Sequence, residues 1–147
     1  NVTFDINGAV VEKIIEMNVD SLYPGMPTYS QTLTASNSGG AKAEITYEIV
    51  KADVLGTDLM ALGYDNNHLF NYLANNYPFS ITLTVSNPII NLHSEENITI
   101  SVSWPYESGD DETDTYWGTE AHAFHTANPD TPSISLIIKI TAYQINE

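Results

Sequence analysis

Apolar and polar residues alternate along most of this chain, the pattern of strands buried on one face. Val2, Phe4 and Ile6 alternate with Thr3 and Asp5 until Asn7-Gly8 breaks the run. Val11, Ile15, Met17 and Val19 share one parity, and Glu12, Glu16, Asn18 and Asp20 the other. Tyr23-Pro-Gly-Met-Pro27 reads as a turn, because proline presets φ and glycine accepts a positive φ. Thr28 to Asn37 is strand-like and stops at Ser38-Gly-Gly40, a break of the kind that closes hairpins. Further alternating faces run through Ala43, Ile45, Tyr47 and Ile49, through Phe79, Ile81, Leu83 and Val85, and through Ile98, Ile100, Val102 and Trp104.

The last segment is different. Ile134, Leu136, Ile138, Ile140 and Ala142 form one face, while Ile137 and Tyr143 join Ser135, Lys139 and Thr141 on the other. A strand apolar on both faces is central in its sheet or covered on its second face. Two stretches change period. Asp65 to Asn76 places His68, Leu69, Tyr72 and Leu73 at helical spacing with Asp65 as N-cap, and Thr119 to Ala127 predicts a shorter helical turn after Gly118. About seven or eight strands with short helical crossovers predict an all-β fold, a jelly-roll β-sandwich. Residues 9–147 form the sandwich, and residues 1–8 a terminal strand with its joint.

Composition narrows the function. The 147 residues make one ordinary domain, without cysteine and therefore without disulfides or thiolate metal sites. Four Lys and no Arg stand against 19 Asp and Glu, a net charge of −15. Phosphate recognition leans on Arg and Lys, so nucleic acid is not an expected partner, and anionic membranes repel the chain. No apolar stretch reaches the roughly 20 residues of a membrane span. The abundance of Asn, Ser and Thr suits an extracellular β-protein. A start at Asn1 with no basic-then-apolar leader fits a mature product whose signal peptide has been removed.

The densest charge lies at Glu107, Asp110, Asp111, Glu112 and Asp114, between Trp104-Pro-Tyr106 and Tyr116-Trp117. Such a run is usually a solvated loop. Held on a folded domain, its oxygens are also candidates for Ca²⁺, although the EF-hand spacing is missing. His122-Ala-Phe-His125 puts two imidazoles on one helix face, but lacks the glutamate of a His-Glu-x-x-His metalloprotease. No Gly-x-Ser-x-Gly and no phosphate-cradling glycine loop is present, and no enzyme is expected. His68 and His93 read as a helix-face and a loop residue. Asn1-Val-Thr3 and Asn97-Ile-Thr99 are glycosylation sequons, so Asn1 and Asn97 are candidate sites. Trp104, Tyr106, Tyr116 and Trp117 beside acids fit either core and loop packing or sugar stacking. The second would make the chain a secreted carbohydrate-binding module.

Three segments together resemble the TasA/camelysin family of secreted biofilm-matrix fibre proteins. They are Leu22-Tyr-Pro-Gly-Met-Pro followed by Tyr29 to Asn37, then Ala43 to Ile49, and the Trp- and acid-rich stretch from Ser103 to Gly118. Some relatives of this type have been classed as peptidases, but no peptidase motif is present here. The resemblance implies a homopolymer of identical subunits built by donor-strand complementation, one copy's terminal strand completing the next copy's sheet. Val2, Phe4 and Ile6 are the expected donor side chains, Asn7-Gly8 the joint, and the doubly apolar strand from Ile134 to Ile140 the expected wall of the accepting groove. Burying such side chains contributes about 1.5–3 kcal/mol each before ordering costs. Folded back on its own subunit, the same segment is an ordinary first strand. Ca²⁺ taken up by the acidic run would relieve repulsion between subunits.

Overall fold

A computed structural model describes residues 2–6, 10–63, 65–107 and 109–145, with only the backbone described at residues 2–4 and 67. The proposed joint Asn7-Gly8 and the sequon residue Asn1 lie outside the described residues. The element order is β1 (Val2–Ile6), β2 (Val11–Val19), β3 (Tyr29–Asn37), β4 (Ala43–Val54), β5 (Thr57–Asp58), a 3₁₀ turn (Leu59–Leu62), α1 (Asn66–Asn76), β6 (Ser80–Val85), β7 (Ile89–Ile90), β8 (Glu95–Ser103), α2 (Asp111–Ala127) and β9 (Ile134–Gln144).

These strands form two sheets. One has the order β1-β3-β8-β6; the other has β2-β9-β4-β5, with β7 also paired to β4. The fold is therefore mostly β, two-sheeted and sandwich-like, with both sheets contributing to a single apolar core. From the first sheet come Ile6, Leu33, Ala35, Ile81, Ile98, Ile100 and Val102; from the second come Ile15, Met17, Val19, Ile45, Ile49 and the Ile134, Leu136, Ile138, Ile140 face. Apart from Leu33 and Ala35, these residues lie on the alternating faces read from the sequence. As expected, β9 is central: β2 pairs with it on one side and β4 on the other, both antiparallel.

Three local readings change. First, Ser38-Gly-Gly40 closes no hairpin, because β3 and β4 belong to different sheets. The crossover is held by Asn37, which is 1 % exposed. Its Nδ2 donates to the carbonyls of Ala41 at 2.9 Å and Ile90 at 3.1 Å, and its Oδ1 accepts from Gly39 N at 3.0 Å. A buried amide so well satisfied ties two connections and the end of β3 together.

Second, β4 runs past Ile49. A bulge between Ile49 and Lys51 inserts one residue and switches the inward parity, so Ala52 and Val54 are buried after Ile45 and Ile49. Asn66, the first residue of α1, fits against this strand. Its Nδ2 donates to Tyr47 O at 2.8 Å, and its Oδ1 accepts from Ile49 N at 3.1 Å. The predicted cap of α1 is present: Asp65 Oδ1 accepts from His68 N at 2.9 Å. His93 lies in a turn with φ of +58°.

Third, Asp111, Glu112 and Asp114 of the acidic run are in a helix rather than a loop. α2 starts at Asp111, eight residues before the expected start at Thr119, with Asp110 as N-cap and Asp111, Glu112 and Asp114 in its first turn. Carboxylates are stabilised at a helix N-terminus by the peptide dipoles and the unpaired N–H groups. Gly118 does not end the helix; it sits inside α2 beside the ring of Pro24. Among the described residues, no helix is long and apolar enough to cross a membrane.

Candidate functional site

The expected donor segment is placed at the edge of its own sheet. β1 runs parallel to β3, with Val2 opposite Leu33, Phe4 opposite Ala35 and Ile6 opposite Asn37. Among the described residues it has no sheet neighbour on its other side. Ile6 is fully buried, and its carbonyl accepts from both Ser38 N and Gly39 N at 3.1 Å. Asp5 reinforces the same end: Oδ1 accepts from Ser38 N at 3.1 Å, and Oδ2 from the Ser38 hydroxyl. The strand is thus clamped at its inner end and paired along one edge. Within the subunit its ladder partner is β3, while β9 has a sheet neighbour on each side.

The five carboxylates take separate roles. Asp110 Oδ1 accepts from Thr113 N at 3.1 Å, and this hydrogen bond, with a second from the Thr113 hydroxyl, holds its carboxyl below the usual carboxylate range. Asp114 turns inward and accepts from the Trp104 indole. Glu107, Asp111 and Glu112 are exposed. No group of three or more His, Asp or Glu side chains stands close enough to hold a metal ion among the described residues.

An open cleft of about 950 Å³ lies between the Ser21–Pro24 segment and α2. Tyr23, Tyr106, Glu107 and Asp111 line one part of it, and His122 and His125 another. His125 Nδ1 is buried without a hydrogen-bond partner in the structure. The His-x-x-His pair therefore faces a cleft, and among the described residues no third ligand joins it.

The four aromatics considered for sugar stacking do not form one platform. Trp104 is 1 % exposed and packs on Phe79, with ring centroids 5.3 Å apart. Tyr106 is exposed at the cleft, whereas Tyr116 and Trp117 line a second recess on another face of α2. Asn97 is exposed in mid-strand on β8, where its Oδ1 accepts from Thr34 Oγ1 at 2.9 Å. Sequence reasoning missed the Asn37 hub and the Trp104–Asp114 bond. The second carried a signal, a tryptophan ten residues before an acid, but that spacing is informative only once the start of α2 is known.

The fold and these surfaces define a class: a mostly β, two-sheet domain with its first strand at a sheet edge and a capped helix that begins in the acidic run. Compared with family models, curated proteins and solved structures, the chain matches none.

Proposed function

We propose that the protein is a secreted structural subunit that assembles head to tail into an extracellular filament or tubule. In the assembly, β1 of one copy fills on the next copy the seat beside β3 that it fills on its own.

One observation carries this reading: the winding of the other strands does not need β1. With β1 and the two-residue β5 set aside, the orders are β2-β9-β4-β7 and β3-β8-β6. The chain steps between the two sheets at almost every connection, and its first and last strands are neighbours. That connectivity supports a jelly roll in which β1 is an addition to the edge of β3. A terminal strand of this kind makes the same ladder and buries the same side chains in cis or in trans, so exchange sacrifices no contact. The joint and the concentration then decide, because a short linker keeps the strand's own seat at a millimolar effective concentration. The resemblance to the TasA/camelysin proteins points the same way.

The role is not enzymatic. Ca²⁺ enters as a counter-ion between the exposed carboxylates of neighbouring subunits, each carrying −15, rather than as an ion enclosed within one subunit. Negative-stain electron microscopy of the purified protein, with millimolar Ca²⁺ and again with chelator, tests both claims. Filaments or tubes are expected, fewer in chelator, and a protein lacking residues 1–8 is expected to stay folded and monomeric. Filaments from the truncated protein would sink the proposal.

A further inference from the structure

Between α2 and the turn that joins β4 to β5 lies a recess of about 450 Å³, lined by Leu55, Tyr77, Tyr116, Trp117, Glu120 and Phe124. Four of these fall on one face of α2 at steps of one, three and four residues. The rings cross one another rather than lying flat. Trp117 is tilted by 59° to Tyr77, with centroids 4.7 Å apart, and stands at 90° to Tyr116 at 5.1 Å. Phe79 stacks behind Tyr77 at 4.9 Å and fixes that wall. Tyr116 is 57 % exposed, so the aromatic surface opens to solvent.

The opposite wall is strained. Leu55 has φ of +48° and Gly56 φ of +81°, a left-handed pair closing the tight β4–β5 turn. Leucine is unfavourable in that region, and such conformations persist where the surroundings enforce them, often at binding surfaces. A Cβ on Gly56 would stand 2.9 Å from Phe124 Cε1, so the turn reaches the helix only because this residue is glycine.

We infer that this recess is a binding site for an organic ammonium cation of about the size of a trimethylammonium group. Aromatic faces carry the negative side of the ring quadrupole and attract a desolvated cation, and Tyr116, Trp117, Tyr77 and Phe124 supply aromatic lining to the recess. Glu120 adds a carboxylate at the rim. All four Lys lie elsewhere: Lys13, Lys51 and Lys139 on β2, β4 and β9, and Lys42 just before β4. No cation of the chain therefore lines the recess. A sugar would be served by a flat exposed ring and a fan of hydrogen-bonding groups. An anion would meet Glu120 within a field of −15.

Tryptophan fluorescence titration with choline chloride tests the site. Trp104, in the core, reports folding, and Trp117 reports the recess. A saturable change is expected with choline, and binding about tenfold weaker with its neutral isostere 3,3-dimethylbutan-1-ol. Tyr116→Ala should weaken choline binding about tenfold and Glu120→Gln about threefold in this titration, and Trp117→Ala, which removes the reporter, about tenfold by isothermal titration calorimetry, with far-ultraviolet circular dichroism unchanged in each. Tyr116→Ala alters an exposed ring and keeps the test valid if Trp117→Ala misfolds. Equal binding of the neutral isostere, a response to cello- or chito-oligosaccharide but not to choline, or no saturable response from the folded protein would each overturn the assignment.

Discussion

Trp104 and Asp114 meet inside the core, where the indole Nε1 donates to Asp114 Oδ1 at 2.9 Å. The two residues are 1 % and 7 % exposed. Trp104 directly follows β8, and Asp114 lies in the first turn of α2, so one bond fastens the acidic helix to the sheet. A buried charge-assisted bond of this kind has modest net worth, but it is expensive to leave half made.

The cost of breaking it should depend on what remains. Asp114→Ala orphans the indole N–H and should destabilise the protein by about 1–3 kcal/mol, whereas Asp114→Asn keeps an acceptor oxygen and should cost less. Urea unfolding followed by tryptophan emission measures both. Equal losses would show that the indole bond contributes little and that packing dominates at this position.

Asp110 governs the same helix from outside. Its carboxyl is held below the ordinary 3.8 by the backbone and hydroxyl hydrogen bonds of Thr113. A folded-state value below the unfolded one means that folding favours the carboxylate. The contribution is complete above the unfolded value and is lost as the pH falls through the folded one. Asp110→Ala should therefore lower helicity and thermal stability near neutral pH, with the difference from wild type shrinking below about the unfolded carboxylate value. Asp110→Ser retains a cap acceptor and should recover part of the neutral-pH stability with little pH dependence. A difference from wild type that persists unchanged into strong acid would contradict this account.

The strands were legible because half-burial writes a period of two into the sequence, and Ile134 to Ile140 was legible as either central or covered because its second face is also apolar. Asp65 was legible as a cap because its hydrogen bond is local. The start of α2 was obscured because five acids resemble a solvated loop until Asp110 is recognised as a cap, and because Gly118 resembles a break. What sequence proximity does not encode stayed hidden: the pairing of β1 with β3, the bulge that shifts parity in β4, and the partners that let Asn37 be buried. The acidic residues are dense in the sequence, but their separation into cap, core acceptor and exposed carboxylates depends on helix geometry.

Tyr77 gives the alkaline limit a specific origin. Burial, helped by the proximity of Tyr72, pushes its phenol from 10.0 to about 12. Folding favours the neutral form, so this contribution is present below the unfolded value and fades as the pH rises through the folded one. Stability should decline between pH 10.0 and about 12, and Tyr77→Phe should flatten that decline and remove one late step from the tyrosinate absorbance titration. Tyr143 is also raised, by its hydrogen bond to Glu44, so the variant is needed for assignment. A late step of undiminished amplitude in Tyr77→Phe would assign it to Tyr143.

The decisive prediction concerns Ile6, fully buried at the clamped end of β1. Ile6→Asp places an unpaired carboxylate in an apolar seat, a cost that the strand escapes by leaving. If β1 is an addition to a complete two-sheet domain, hydrogen exchange should show lost protection on the edge of β3 opposite β1, at Leu33 to Asn37. Protection from Ile98 to Val102 in β8 should remain. The variant should also form no filaments, and a synthetic peptide of residues 1–8 should bind the truncated protein and restore protection to the open edge. If Ile6→Asp instead unfolds both sheets together, β1 is integral to the core, and a strand that cannot leave without unfolding its own domain cannot be donated to the next.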